Sequence, residues 1–202
     1  MLFRSTKKDI HIDIDIDTVA VDGQTVNTTQ LYYVKFHKPK GYVTAVEDST
    51  HPVVMDLLPP EYLKMGVVPV GRLDKDTEGL LLLTNDGIWG HSIINGHKHV
   101  PKVYYVEFEG ELSEEGIQRI KEGIVLGDGT QCKPALIKLL SDQSATITIE
   151  EGKYHQVKRM IGAAGGTVSY LKRLTIGHVD LNGIEEVGSV MDLTIDDVEG
   201  FK

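Results

Sequence analysis

The sequence lacks the features of secreted and membrane-spanning proteins. It contains one cysteine, Cys132, so no disulfide can form within the chain. No apolar stretch is long enough to span a bilayer, which takes about 20 residues, and no secretory signal precedes the first predicted strands. Solenoid-type repeats and low-complexity tracts are also missing. These absences predict a protein of the reducing cytoplasm with no membrane partner.

Positive charge is scarce overall but concentrated locally. Lysine and arginine number 21 against 30 aspartates and glutamates, for a formal net charge of −9. A protein held to nucleic acid by charge alone should be basic, which argues against an RNA substrate. Acidic residues, however, crowd the ranges 9–22 and 185–199, whereas basic residues gather between them. If these basic residues share one face, they predict a positively charged cleft on an acidic body.

The most informative segment is residues 71–87, GRLDKDTEGLLLLTNDG. Asp74 stands in a glycine-flanked loop before an apolar run, Leu80–Leu83, whose length and turn-forming borders favour a buried strand. Such a loop can present a reactive group rigidly. For an isolated aspartate, capping of a turn is the more common role. Asp76 and Asp86 invite comparison with the acid pair of a glycosidase, but turn and cap roles are favoured for both.

Four further segments carry polar or aromatic residues in distinctive patterns. Residues 102–106, KVYYV, alternate like a strand with two chemically different faces. Residues 151–160, EGKYHQVKRM, place a helix start near His155, whose positive end attracts phosphate. Residues 171–177 read LKRLTIG. Residues 36–43, FHKPKGYV, are interpreted as structural, with a strand end, a proline-fixed turn and a glycine kink.

Taken together and in this order, the segments resemble the motifs of the pseudouridine synthases of the ribosomal small-subunit type. The resemblance covers the chain from about Leu31 onwards. It implies that Asp74 is the catalytic aspartate, that Tyr104 packs against a flipped uracil, and that Lys158 is the basic residue that pairs with Asp74. A neighbouring cation would keep Asp74 ionised and oriented. Lysine would do so less rigidly than arginine, because it lacks the planar guanidinium.

The same resemblance implies an RNA-contacting surface. The side chains expected to bind RNA are Arg72, Lys75, Lys102, Lys153, His155, Gln156, Arg159, Lys172 and Arg173. Leu171 and Leu174 are candidates for an apolar pocket beside the target base. No cofactor and no metal are expected, since the reaction rearranges a single nucleoside. The spacing of His91, His97 and His99 would permit zinc, but the run contains no carboxylate or thiol, so metal binding is disfavoured.

Strands and helices are predicted without regular β-α-β alternation, which favours an α+β fold. Strands are expected near residues 31–36, 68–71, 80–84, 102–109, 145–149, 167–172 and 190–194, and helices near 54–57, 88–94, 113–122 and 154–164. The resemblance implies the pseudouridine synthase fold, with an extended, mixed and mostly antiparallel sheet, flanking helices and a central cleft. Residues 29–202 are expected to form this catalytic domain.

Residues 1–28 are expected to be a remnant of an S4-like RNA-binding domain and its linker. Members of the family usually begin with such a domain, and this segment is too short to hold it. Residues 9–17 alternate apolar and polar side chains as an edge strand does, and Asp22 with Gly23 predicts the tight turn of a hairpin over residues 17–26. Either the sequence has been shortened or the domain has been lost.

The resemblance implies an isomerase that converts one uridine of ribosomal RNA to pseudouridine. The sequence of residues 154–158 favours the small-subunit branch of the family, and the resemblance implies uridine 516 of 16S rRNA as the target. Asp74 would either attack C1′ or abstract the 2′ proton, and both routes stay open. The expected partner is ribosomal RNA within a small-subunit assembly particle, and the expected state is a cytoplasmic monomer.

Three alternatives to this function stay open. One is a 23S rRNA synthase of the same family. Another is a non-catalytic rRNA-binding or ribosome-assembly factor that keeps the fold, which an intact Asp74 disfavours. The last is a carboxylate hydrolase, which predicts activity on small glycosides without RNA.

Overall fold

The computed structural model describes residues 19–26, 30–95 and 99–201. Contacts within the chain divide it into two units, residues 1–31 and residues 32–202. None of the helices in the described ranges is long and apolar enough to cross a bilayer. The second unit carries most of the secondary structure and the candidate site.

The first unit contains an antiparallel hairpin of β1 (Val19–Val21) and β2 (Gln24–Val26). Asp22 and Gly23 form its turn, and both have a positive φ, 51° and 81°. Tight two-residue hairpin turns require this conformation, which aspartate tolerates and glycine adopts freely. The predicted hairpin turn is confirmed, whereas the edge strand predicted over residues 9–17 lies outside the described residues.

The second unit combines eight strands, five α-helices and a 3-10 helix among its described residues. In chain order they are β3 (Tyr33–Lys38), the 3-10 helix (Val54–Leu57), α1 (Pro60–Lys64), β4 (Val68–Val70), β5 (Glu78–Thr84), α2 (Gly87–Ile94), β6 (Lys102–Gly110), α3 (Glu114–Glu122), β7 (Leu136–Ser141), β8 (Ser144–Ile149), α4 (Gln156–Ala163), β9 (Gly166–Ile176), β10 (Val190–Asp192) and α5 (Ile195–Glu199). Each predicted strand and helix is present, with ends shifted by a few residues. The elements that were not predicted are α1, α5 and β7.

The strands form one mixed sheet in the order β10-β3-β5-β9-β6-β8-β7, with β4 also paired to β5. Among the described strands, every pairing is antiparallel except that of β5 with β9. The predicted α+β class and mostly antiparallel sheet are confirmed. At the parallel pairing, a β-carbon on Gly79 would lie 2.2 Å from the carbonyl oxygen of Arg173. Glycine at this position therefore permits the close approach of β5 to β9.

The apolar run predicted as a buried strand is β5, and it is buried on both faces. The side chains of Leu80–Leu83 are all 0% exposed. Alternate leucines point to opposite faces, where one pair packs with Trp89 of α2 and the other with Phe36 of β3. A third core cluster lies between β6, β8 and the helices α3 and α4. This packing gives the loop that precedes β5, residues 71–77, a rigid base.

Candidate active site

The loop of residues 71–77 is held from beneath by a buried ammonium group. Lys38, at the end of β3, is 0% exposed, and its Nζ donates to the carbonyl oxygens of Asp74 and Thr77 at 3.1 and 2.9 Å. Burial lowers the pKa of Lys38 to about 8. The segment 36–43, interpreted from the sequence as a strand end and a turn, therefore also shapes the loop that carries Asp74.

The Asp74 carboxylate lies between two basic side chains of the 151–160 segment. The Nζ of Lys158 is 3.2 Å from Oδ2 of Asp74, and the Nε2 of His155 is 3.4 Å from Oδ1. The side chain of Asp74 is 28% exposed, so its oxygens are accessible from the solvent. The contact between Lys158 and Asp74 that the resemblance implied is present in the structure.

Asp76 also contacts Lys158, and this corrects one expectation. Asp86 caps α2 as expected, because its carboxylate accepts two backbone N–H groups of the first turn at 3.1 and 3.0 Å. Asp76 lies in a turn as expected, closed by the N–H of Thr77 donating to the carbonyl oxygen of Asp74 at 3.1 Å. Its side chain does not cap a helix in the described residues but forms an ion pair with Lys158 of α4. Burial acts to lower the pKa of Lys158, but hydrogen bonds to Asp76 and Asp74 outweigh it and raise that pKa. The ammonium group is therefore held in its charged form.

Asp74 opens onto a cleft of about 560 Å³. The basic side chains that line it are Arg72, Lys75, Lys102, Lys153, His155 and Arg173. Among the described residues of this lining, Asp74 is the one carboxylate. The positively charged cleft expected from the charge distribution is thus present on a chain whose formal net charge is −9. Its local field attracts a polyanion despite the net charge.

Part of the floor of the cleft is apolar and aromatic. Tyr104 of β6 and Leu171 of β9 line it and are 7% and 5% exposed. Leu174, the other candidate for the apolar wall, lies outside the lining. The register of β6 against β9 shifts at this point, so that Leu174 is the extra residue of a β-bulge.

Arg173 and Lys172 do not form the RNA-facing surface that was expected of them. Arg173 is 3% exposed, and its Nε donates to the carbonyl oxygen of Leu80 at 2.7 Å. The guanidinium belongs to the floor of the cleft, too deep to bind a phosphate at the surface. Successive strand residues point to opposite faces, so Lys172 points away from the face of Arg173 and pairs with Glu78 at 3.2 Å.

Gln156 belongs to the cleft lining but is bonded within its own segment, whereas Arg159 is directed away from the cleft. Gln156 is 4% exposed; its Oε1 accepts the N–H of Lys153 at 2.9 Å, and its Nε2 donates to Glu151 at 2.7 Å. Arg159 lies outside the cleft lining and forms an ion pair with Asp128. Both residues belong to α4, where successive side chains turn around the helix axis and cannot all face one surface.

Two residues of structural interest in the site were not singled out from the sequence. Lys38 looks like an ordinary lysine after a strand, and nothing local indicates its burial. Tyr154 is 76% exposed, lines the cleft, and stacks on His155 with ring centroids 3.8 Å apart. The sequence shows an aromatic residue in the turn before a helix, but this pattern does not indicate how far the ring of Tyr154 is exposed.

Comparison with known proteins identifies the family. A family model described as RNA pseudouridylate synthase matches residues 32–163. The chain is 43% identical over 188 residues to an uncharacterized RNA pseudouridine synthase of Bacillus subtilis, which covers 91% of this chain and 79% of the relative. It is 35% identical over 167 residues to the ribosomal small subunit pseudouridine synthase A of Escherichia coli. This match covers 82% of this chain and 72% of the relative. The chain belongs to the RNA pseudouridine synthase family.

A solved structure supports the same membership at the level of the fold. The crystal structure of a pseudouridylate synthase matches with a TM-score of 0.79 and 34% sequence identity, covering 96% of this chain and 83% of that chain. The expected pseudouridine synthase fold is thereby confirmed. The protein is an enzyme that isomerises uridine to pseudouridine in RNA, and it is of the ribosomal small-subunit type that the motifs indicated.

Proposed function

We propose that Asp74 is the catalytic carboxylate of this synthase. Its position supports the assignment, since a partly exposed carboxylate at the base of a positively lined cleft lies 3.2 Å from Lys158 and 3.4 Å from His155. Basic neighbours favour the ionised form of a carboxylate and fix its orientation. Both chemical routes open to Asp74, attack on C1′ and removal of the 2′ proton, require the ionised form.

The reaction needs the target nucleotide to leave the RNA stack. A stacked or paired uridine cannot reach Asp74, so the nucleotide turns out of the strand into the cleft. The N1–C1′ bond then breaks, and its electron pair leaves on the uracil while Asp74 bonds to C1′ or takes the 2′ proton. The base turns and C5 bonds to C1′. C5 loses its proton, N1 gains one and Asp74 is restored, so atoms and electrons balance without a co-reactant.

The other cleft residues take supporting roles in this proposal. Tyr104 stacks on the uracil, Leu171 provides an apolar contact beside it, and Lys158 holds Asp74 in place. The side chains that bind the RNA in this proposal are Arg72, Lys75, Lys102, Lys153 and His155. Arg72 and Lys75 are exposed at the edge of the cleft, where they can reach backbone phosphates.

An Asp74→Asn variant tests the catalytic assignment. We expect no detectable pseudouridine and nearly unchanged RNA affinity, because the substitution removes the charge and keeps the shape. Tritium release from RNA labelled at C5 of uridine measures turnover, and filter binding measures affinity. Asp142→Asn, in an exposed turn between β7 and β8, is the matched control. Turnover by Asp74→Asn near the wild-type rate would overturn the assignment.

We further propose that the substrate is uridine 516 of 16S rRNA, presented in a small-subunit assembly particle, and that the enzyme acts as a cytoplasmic monomer. The relatives named as ribosomal small subunit pseudouridine synthase A support the choice of subunit. Mapping pseudouridines in rRNA from cells with and without the gene tests the target. Loss of a 23S rRNA modification instead would assign the enzyme to the large subunit, and RNA binding without any lost modification would favour a non-catalytic factor.

A further inference from the structure

The exposed ring of Tyr154 stands at the mouth of the cleft with one face free. The rings of Tyr154 and His155 lie 3.8 Å apart, with their planes inclined by 19°. His155 covers one face of the tyrosine, yet Tyr154 is 76% exposed. The opposite face is therefore open to solvent beside the cleft that is proposed to bind RNA.

The backbone at His155 is in an unfavourable conformation that accompanies this stack. Its φ is 47°, in the left-handed region that residues with a β-carbon rarely adopt. Strained residues of this kind cluster at functional sites. Here the left-handed residue sends its imidazole to Asp74, at 3.4 Å, while the ring of Tyr154 lies over it.

The segment that carries the two rings is anchored from beneath. The buried Gln156 accepts the N–H of Lys153 at 2.9 Å and donates to Glu151 at 2.7 Å. Glu151 also accepts the N–H of Lys133 at 2.8 Å, which ties the segment to the loop before β7. A stacking surface held by such internal bonds loses little freedom when a ligand binds.

We propose that the stacked rings of Tyr154 and His155 form a second binding subsite, which takes an unpaired nucleobase next to the everted uridine. Every nucleobase presents a flat π-face, and exposed aromatic side chains bind single-stranded bases by stacking on it. Lys153 also lines the cleft beside the stack, where its Nζ is held by Glu151 at 3.4 Å and by the carbonyl oxygen of Gln131. The subsite rests on the proposed entry of the uridine at Asp74.

The test uses a short RNA with 2-aminopurine on either side of the target uridine. We expect Tyr154→Ala to raise KM about tenfold, the effect of losing one stacked base, with a smaller fall in kcat. Tyr154→Phe keeps the ring and should restore most of the affinity. In an Asp74→Asn background, binding should quench one of the two 2-aminopurine positions, and adding Tyr154→Ala should abolish the quenching.

Leu136→Ala, on the exposed edge strand β7, is the control for loss of an exposed apolar side chain. An unchanged KM in Tyr154→Ala, or equal quenching with and without the ring, would overturn the subsite. Turnover by the wild-type enzyme in the same assay shows whether the proposed function holds, so the two failures are distinguishable.

A separate observation concerns two cations at the floor of the cleft. Arg173 is 3% exposed and Lys102 is half-buried, and neither lies within 4.0 Å of a carboxylate among the described residues. Lys102 donates to the carbonyl oxygen of Val100 at 2.9 Å, and one nitrogen of Arg173 lies 3.5 Å from the hydroxyl of Tyr104. The remaining terminal nitrogen of Arg173 is buried without a partner.

Burying these two positive charges is energetically unfavourable, and no carboxylate among the described residues lies close enough to compensate for it. Burial, and after it the charge of Arg173, lower the pKa of Lys102 to about 8. Buried charges are normally paired, because an unpaired one is strongly disfavoured. Ionisable groups perturbed in this way inside a cleft indicate a functional site.

The geometry points to Arg173 and Lys102 as catalytic residues that stabilise the negative charge on the uracil after the N1–C1′ bond breaks. The electron pair of that bond spreads from N1 to the carbonyl oxygens O2 and O4 of the base, which are acceptors for N–H groups. Preorganised cations in a site shielded from water stabilise such a developing charge far more than water does. This role also rests on the proposed entry of the uridine at Asp74.

The test compares RNA containing uridine with RNA containing 5-fluorouridine at the target position. Fluorine withdraws electrons from the ring, so the departing base needs less stabilisation. We expect Arg173→Gln to slow cleavage of the N1–C1′ bond of uridine about 100-fold and that of 5-fluorouridine much less. Lys102→Met should behave alike, and Lys102→Arg should retain most of the rate.

Single-turnover digestion and chromatography of the nucleosides measure bond cleavage on both RNAs. Equal losses on the two RNAs in both Arg173→Gln and Lys102→Met would assign the residues a structural role and overturn the proposal. If Arg173→Gln does not fold, Lys102→Met alone decides by the same comparison. Loss of turnover by the wild-type enzyme on either RNA would instead question the function itself.

Discussion

The two loops that meet at Asp74 are held in place by different chemistry. The 71–77 loop is held by the buried ammonium of Lys38, which donates to its carbonyl oxygens. The 151–156 loop is held by the buried amide of Gln156. Charged donors form stronger hydrogen bonds but can lose a proton, whereas an amide does not titrate. The difference makes the anchor of the 71–77 loop sensitive to pH, whereas the anchor of the 151–156 loop is not.

Removing the ammonium group of Lys38 should have the largest effect on turnover and on stability. We expect Lys38→Met to lower turnover at least 100-fold and the free energy of unfolding by about 3 kcal/mol, because buried carbonyl oxygens lose their donor. Urea unfolding and single-turnover tritium release measure the two effects. Lys64→Met, at an exposed position in α1, is the control. Near-normal turnover in Lys38→Met would show that the loop keeps its shape without this lysine.

Removing the side-chain amide of Gln156 should lower stability less and should change RNA binding more than the rate of the reaction. We expect Gln156→Leu to lower the free energy of unfolding by about 2 kcal/mol, because the N–H of Lys153 and the carboxylate of Glu151 lose a partner. KM for RNA should rise several-fold while Asp74 keeps its shape and its loop. Gln118→Leu, on the exposed face of α3, is the control. A loss of kcat as large as in Lys38→Met would contradict the distinction between the loops.

The pH dependence of stability and of turnover tests the comparison of the two loops without a mutation. Burial lowers the pKa of Lys38 from 10.5 to about 8. Between these pH values the folded protein binds fewer protons than the unfolded chain, so this group makes the free energy of unfolding rise with pH. Turnover should fall several-fold over the same window, because the loop loses its ammonium. Parallel urea titrations and rate measurements at saturating RNA, from about pH 7 to pH 10, follow both quantities.

Lys102 titrates in the same window, since its pKa is also lowered to about 8. A Lys102→Arg variant separates the two lysines, because arginine stays charged throughout. If the fall in turnover persists in this variant, it belongs to Lys38. A fall that disappears would assign the pH dependence to the cleft floor and not to the 71–77 loop.

The smallest effect is expected at the second carboxylate of the 71–77 loop. The side chain of Asp76 is 72% exposed, and exposed ion pairs contribute little, about 0.5 kcal/mol or less. We therefore expect Asp76→Asn to change turnover by no more than about twofold, because Lys158 keeps its contact with Asp74. The same tritium-release assay measures it. A loss comparable to that of Asp74→Asn would move the catalytic assignment to the pair of carboxylates.

The elements with regular side-chain patterns were predictable from the sequence. The run Leu80–Leu83 indicated a buried strand, and Asp22 with Gly23 indicated a hairpin turn. The helices α1 and α5 have only five residues each, too few for a periodic pattern to appear. Strand β7 carries mostly exposed side chains, so it lacks the alternation of a half-buried strand. Tertiary contacts stabilise these three elements more than local preference does.

The site was predictable as a set of residues but not as an arrangement. The pairing of Lys158 with Asp74 followed from the family motifs and is present. The directions of Lys172, Arg173 and Gln156 could not be read from the sequence: Lys172 pairs with Glu78, whereas Arg173 and Gln156 are buried in the cleft lining. Each depends on the phase of a strand or helix relative to the cleft, and a shift of one residue reverses the direction of a strand side chain.

By itself the sequence determined the order of the main elements, the family motifs and the collection of basic residues available to the cleft, because all of these are properties of local pattern. Tertiary structure alone decided that Lys38 lies under the Asp74 loop, that Arg173 is buried at the cleft floor, and that Tyr154 keeps one face open. The physical reason is that burial and direction are set by contacts between segments far apart in the chain, which no local pattern specifies.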